Sequence, residues 1–352
     1  MALSFSAPYT WSGLETEMNS KQRCLAAIRG EPVDRIPVFP LLMFFAADRL
    51  RVPYRSFATD ARVLAEAQLN MRQRFGVDAI TVCSDAFRVS ADLGGDMAYP
   101  EDRTPYLLKP LVASQDDLDH LKKPSYAASG RIMDRVRATQ ALVKAAGDDC
   151  LVLGWVDMPF AEACSLCGVS EFMTMLIDQP ELAHNVLQFL TSIVIDFARM
   201  QLEVGAPMIG AGDAAASLIS PRFFRQFALP YEQQVCQAVH AAGGLVKLHI
   251  CGNTTHLLND MVNSGADLFN LDHLVDLGAA RKVYEVAGKC FKGNLDPVGD
   301  LMQATPEHCR QAALTCIRIA RGARYMLSAG CEIPAAVTDE VFTAFCQALQ
   351  EI

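Results

Sequence analysis

This 352-residue chain has no basic run: its 31 Lys and Arg are outnumbered by 40 Asp and Glu, leaving a formal charge of −9. The densest cationic patch, Arg321–Arg324 (RGAR), follows a helical pattern and suits a helix C-terminus better than a phosphate backbone. This argues against a non-specific nucleic-acid binder. No stretch of about 18 uncharged apolar residues occurs, which argues against a membrane span. The opening MALSFSAPYTWSGLETEM lacks both the basic start and the apolar core of a secretory leader, and residues 1–18 read as an N-terminal extension. No low-complexity linker or internal repeat divides residues 19–352, which are expected to form one domain. The twelve cysteines are scattered, without a disulfide framework, which fits reduced thiols and a cytoplasmic location. No glycine-rich dinucleotide fingerprint follows the first strand signal.

Against those absences stands a repeating pattern. Eight short apolar or β-branched runs alternate with helical periodicities: RIPVFP (35–40), DAITVCSD (78–85), LVLGWVDMPF (151–160), PMIGAGDA (207–214), LVKLHICG (245–252), LFNLDH (268–273), CFKGNLDP (290–297) and YMLSAGCEIP (325–334). Alternation of this kind implies parallel βαβ units. Eight units imply a single closed (β/α)₈ barrel of the TIM type, the α/β fold class expected here. Residues Gly94–Ser114 carry turn residues and short apolar runs instead of a helix, and predict a hairpin inserted after the second strand. A barrel of this kind puts its chemistry at the C-terminal strand ends. Those ends supply Asp85, Asp157, Asp213, His249, Cys251, Asp272, His273, Asn294, Asp296, Cys331 and Glu332.

Within LVKLHICGN, alternation turns His249 and Cys251 to one face and Leu248 and Ile250 to the other. An imidazole and a thiolate suit zinc, and a catalytic zinc needs three protein ligands with one position open. Cys331, at the end of the eighth strand, is the candidate third ligand, and Glu332 a candidate fourth or a partner that orients the others. Packing is the competing reading, since a strand histidine or cysteine also serves as ordinary core. Cys164 and Cys167 in CSLC have redox or zinc spacing but no second pair nearby, and read as helix packing.

The segments KQRCLAAIRGEPVDRIPVFP, FKGNLDP and GARYMLSAGCEIP…TDEVFTAF resemble the uroporphyrinogen decarboxylase superfamily from about Met18 onward. The resemblance implies the same barrel. It also exposes departures: the decarboxylases' RQAGR is here LLMFFAADR, with Arg49 its only cation, and their terminal GHG is Gly330-Cys331-Glu332. Asp85, in CSDA, falls where the family has a pocket aspartate. These changes resemble the cobalamin-dependent methyltransferase branch, which includes methylcobamide:coenzyme M methyltransferases and O-demethylase components. That resemblance implies zinc on His249, Cys251 and Cys331. It further implies a cobalamin or corrinoid methyl carrier, a corrinoid protein as partner, and a small methyl donor or acceptor. Asp85, Asp213 and His273 are expected to contact substrate or orient other groups, and Asn294 and Asp296 to hold a loop. The alternatives are a decarboxylase of a porphyrinogen or smaller acid, and a corrinoid- or tetrapyrrole-binding protein without catalysis.

Overall fold

The computed structural model describes residues 17–128 and 130–348; the expected N-terminal extension lies, up to residue 16, outside them. Seven parallel strands form one curled sheet in the order β1 (Ala79–Thr81), β4 (Leu151–Asp157), β5 (Met208–Gly212), β6 (Leu245–His249), β7 (Leu268–Asn270), β8 (Cys290–Leu295), β9 (Tyr325–Ala329). β2 (Met97–Ala98) and β3 (Tyr106–Leu107) pair antiparallel as the hairpin that the Gly94–Ser114 composition predicts.

Residues 35–40, expected as the first strand, form no ladder strand. They form only isolated parallel bridges, Val38 with Leu327 and Leu41 with Glu332. Pro37 and Pro40 have no N–H to give a ladder. The segment still spans the gap: Phe39 N–H donates to Leu327 O, Leu327 N–H to Pro37 O, and Asp78 N–H to Val38 O. It therefore bonds β9 on one side and the residue before β1 on the other.

Strands flanked by helices are buried on both faces, which is why β4 reads as an almost continuous apolar run. Outer helices such as Pro180–Glu203 carry an apolar stripe against β4 and β5. Proline at the first helical position starts Pro159–Cys167, Pro180–Glu203 and Pro306–Ile319. The run RFFRQFALPYEQQVCQAVHA, one helix by periodicity, is broken by a π-turn at Phe224–Ala228, just before Pro230. A proline cannot donate to the preceding turn, and one extra residue in that turn accommodates it.

The two ends of the barrel differ. Helix Ser20–Arg29, capped by Asn19, plugs the N-terminal end over Leu151, Leu153, Met208, Leu268, Cys290 and Met326. The C-terminal end opens onto a cavity of about 400 Å³. Among the described residues no single helix is long and apolar enough to cross a membrane.

Candidate active site

His249 is the last residue of β6, in register with Gly212 on one side and Asn270 on the other. Its Nδ1 lies 3.2 Å from Asn270 O, so a neutral ring donates there and turns Nε2 toward the cavity. Cys251 follows two residues later, immediately before Gly252 at φ 85°. Asp272 holds that turn by accepting from Gly252 N–H at 2.9 Å. Cys331 arrives from the end of β9 after Gly330. A Cβ at Gly330 would sit 2.3 Å from His273 N, so only glycine lets the two strand ends approach this closely.

These three residues, 82 positions apart in sequence at the widest, meet at the cavity floor. Cys251 Sγ is 3.0 Å from His249 Nε2 and 3.7 Å from Cys331 Sγ, and Cys331 Sγ is 3.7 Å from His249 Nε2. Tetrahedral zinc, with sulfur at about 2.3 Å and nitrogen at about 2.0–2.1 Å, separates its ligand atoms by roughly 3.5–3.8 Å. Two of the three edges match; the third is shortened to a hydrogen bond. The donor set fits zinc, and among the described residues this is the one group of three with converging ligand atoms. A hydrogen bond from Cys251 draws the Cys331 thiol well down, with His249 assisting against the effect of burial, while the same contact drives Cys251 up.

Glu332 lines the cavity without joining the three converging atoms. One oxygen accepts from Phe44 N–H, and burial beside Cys331 raises its carboxyl to about 8. Asp85 also lines the cavity, held by Arg131 and well below the usual carboxylate range. Asp213 is wholly buried behind the wall, facing Glu232; burial raises both, Asp213 to about 7. His273 lies 3.1 Å from Asp272 and 3.9 Å from Asp296, away from the cavity lining. Asn294 donates to Asp272 O and Val275 O, and Asp296 accepts from Val298 N–H as the cap of the next turn. Cys164 lines the cavity, whereas Cys167 packs beneath it.

Three residues in this region escape motif reading. Trp155 forms part of the wall, and Lys247 Nζ sits 4.5 Å over its ring. Arg88, fully buried on a helix that carries no motif, forms an ion pair with Asp157. Alternation in LVKLH does put Lys247 on the His249 face, so a signal for that residue exists in the sequence.

A parallel barrel with its chemistry at the C-terminal rim defines the class: an α/β barrel enzyme fold. The uroporphyrinogen decarboxylase (URO-D) family model matches residues 19–352, and the chain belongs to that family. Among its relatives, a uroporphyrinogen decarboxylase of Coxiella burnetii is 28% identical over 93% of this chain and 94% of its own. The methylcobamide:CoM methyltransferase MtbA of Methanosarcina mazei is 29% identical over 90% and 94%. A solved methyltransferase from Methanosarcina mazei superposes with a TM-score of 0.86 at 24% identity, covering 95% of this chain and 99% of its own. Family members are thus enzymes of two kinds, decarboxylases and methyltransferases.

Proposed function

We propose that this protein is a zinc-dependent methyltransferase that moves a methyl group between a corrinoid and a small substrate, a thiol or an O-methyl compound. The observation that carries the reading is the convergence of His249 Nε2, Cys251 Sγ and Cys331 Sγ within 4.8 Å of one another at the floor of the cavity. His249, Cys251 and Cys331 would hold the metal and leave a position toward the cavity. Bound zinc would supply a Lewis acid, lowering the pKa of a thiol or polarising an ether oxygen.

The chain's own residues do the rest. Asn270 O fixes the imidazole tautomer, and Asp272 braces the turn that carries Cys251. Leu41, Met43, Phe87, Trp155 and Val169 give the cavity apolar walls that exclude water from the transfer. The MtbA relatives support a corrinoid protein as partner, and twelve unpaired cysteines support a reducing, cytoplasmic setting. Decarboxylation of a polycarboxylate fits poorly, because among the described residues no Lys or Arg lines the cavity while Asp85, Asp157 and Glu332 do.

The test is metal content followed by corrinoid spectroscopy. The protein is expected to carry about one zinc per chain, and His249→Ala and Cys331→Ala to lose it. The methylcobalamin spectrum should change with a thiol, or that of reduced cobalamin with an aryl methyl ether. Equal zinc in parent and variants would refute the site, and an unchanged corrinoid spectrum with zinc present would refute the transfer.

A further inference from the structure

Asp157, Gly212 and His249 stand in one row across three neighbouring strands, β4, β5 and β6. Neighbouring strands lie about 4.8 Å apart, so the outer two Cα atoms are roughly 10 Å from each other. All three residues line the cavity. A Cβ on Gly212 would come within 2.9 Å of Asp157 Oδ1 and 3.3 Å of the Trp155 ring, so the glycine leaves a slot between carboxyl and imidazole. A reacting atom held beside His249 Nε2 would face Asp157 across that slot.

The other aspartate on the wall is differently held. A carboxylate offers about four acceptor sites. Asp85 has filled its own: Oδ1 accepts from Phe87 N–H at 3.1 Å and Arg131 at 3.3 Å, Oδ2 from Ser84 Oγ–H and Arg131, both at 2.7 Å. Asp157 accepts from Arg88 on Oδ2, which leaves Oδ1 against Gly212. Arg88 also faces Glu162, in the helix Pro159–Cys167, but its ion pair is with Asp157. Glu162 is buried, and among the described residues no hydrogen-bond donor reaches either of its oxygens. Two carboxyls thus contend for one guanidinium, which opposes the ionisation of both. The charged and titratable groups facing Asp157 are Cys83, Asp85 and Arg88 from the chain after β1, Glu162 from the helix after β4, and Asp213 from the end of β5. Burial, opposed by Arg88, lifts the Asp157 carboxyl to about 6, and burial pushes Glu162 well up.

We propose that Asp157 is the catalytic acid and base of the reaction, exchanging one proton with the heteroatom that loses or gains the methyl group, and that Glu162 tunes it through Arg88. The inference rests on the methyl-transfer reading. When a methyl leaves oxygen, the C–O bond breaks with its electron pair on oxygen and the methyl passes to the reduced corrinoid. The Asp157 O–H then gives its proton to that oxygen, and water at the open cavity restores it. When a thiol is the acceptor, the Asp157 carboxylate takes the S–H proton, and the sulfur pair forms the new bond to the methyl. Glu162 touches no substrate and acts only on the readiness of Asp157 to ionise.

The test has one arm without turnover and one with it. Infrared spectra of the zinc-loaded protein should show a protonated-carboxyl stretch that fades as pH rises through about 6 and is missing in Asp157→Asn. Glu162→Gln, nearly isosteric, should move that midpoint to lower pH, because Arg88 then serves Asp157 alone. In the second arm, reduced cobalamin is mixed with anisole or 4-cyanoanisole and its visible spectrum followed. The anisole rate should fall as pH rises through the same midpoint. Asp157→Asn should slow anisole roughly 100-fold and 4-cyanoanisole distinctly less, since the cyanophenoxide leaves with less help from an acid. Equal slowing of both ethers overturns the proposal, because lost packing would not distinguish leaving groups. If Asp157→Asn does not fold, Glu162→Gln decides: an unmoved infrared midpoint and an unmoved rate profile overturn it. Carboxyl bands that behave as expected beside an inert corrinoid spectrum would refute methyl transfer and this role with it. An active parent whose carboxyl bands neither substitution alters would refute the proton exchange alone.

Discussion

The base and the mouth of this barrel use the same residue types to opposite ends. At the base, Asp78 accepts from Arg23 at 2.8 Å, from Arg35 at 2.7 and 2.9 Å, and from Val38 N–H at 2.8 Å, so every acceptor site is filled. At the mouth, Asp157 lines the cavity and is held by a single guanidinium, that of Arg88, on one oxygen. The cysteines divide the same way. Burial pushes the thiols of Cys24 and Cys290 up among apolar neighbours, whereas Cys331 is drawn down by Cys251 and His249. The difference teaches where stability and chemistry are separately stored. Saturated polar groups fix a fold, and unsaturated ones, held in place by buried partners, are available to a ligand.

The comparison breaks most visibly at the base. Asp78→Ala removes the carboxylate that Arg23, Arg35 and Val38 N–H share, leaving Arg23 to Asp34 and the 36–41 segment to a single backbone bond, and is expected to cost about 2–3 kcal/mol. Urea denaturation measures this, while zinc per folded chain should not change. Gly330→Ala tests the mouth: its Cβ would clash with the backbone at His273 and displace Cys331. Zinc affinity should fall roughly 10–100-fold, read by competition with a chromogenic chelator.

Lys292 lies between the two regions, buried and donating to Phe39 O at 2.6 Å and Ser328 Oγ at 3.1 Å. Burial lowers its pKa well below 10.5. Between that lowered value and the unfolded 10.5, the unfolded chain binds the extra proton, so the lysine's contribution to stability rises with pH. The stability of the parent relative to Lys292→Met should therefore climb toward pH 10.5, by at most about 1.4 kcal/mol per pH unit. Unfolding midpoints across that window check the slope. The smallest effect expected is at Asp296→Ala, which removes a cap worth about 1 kcal/mol and should leave zinc binding intact.

Strand positions are legible in the sequence because a doubly covered parallel strand is apolar throughout, and β1 and β4 through β9 all fall within their sequence signals. RIPVFP reads wrongly as a ladder strand because apolar alternation masks the missing N–H groups of Pro37 and Pro40. The convergence of His249, Cys251 and Cys331 can be argued from strand ends, since barrel closure dictates which ends meet. What the residues do with their hydrogen bonds cannot. Asp85 and Asp157 look equivalent as strand-end aspartates, and only the placement of Arg131, Ser84 and Phe87 shows that one is saturated. His273 follows Asp272 at a strand end, yet its ring turns to Asp272 and Asp296, outside the cavity lining. Side-chain direction just past a strand is set by the loop, which carries no period to read.

X-ray absorption at the zinc edge of the purified protein asks the central question most directly. The expected shell is two sulfurs and one imidazole nitrogen, completed by one exchangeable lighter atom, with one sulfur lost in Cys331→Ser. A zinc shell without sulfur, or one that Cys331→Ser leaves unaltered, would contradict it.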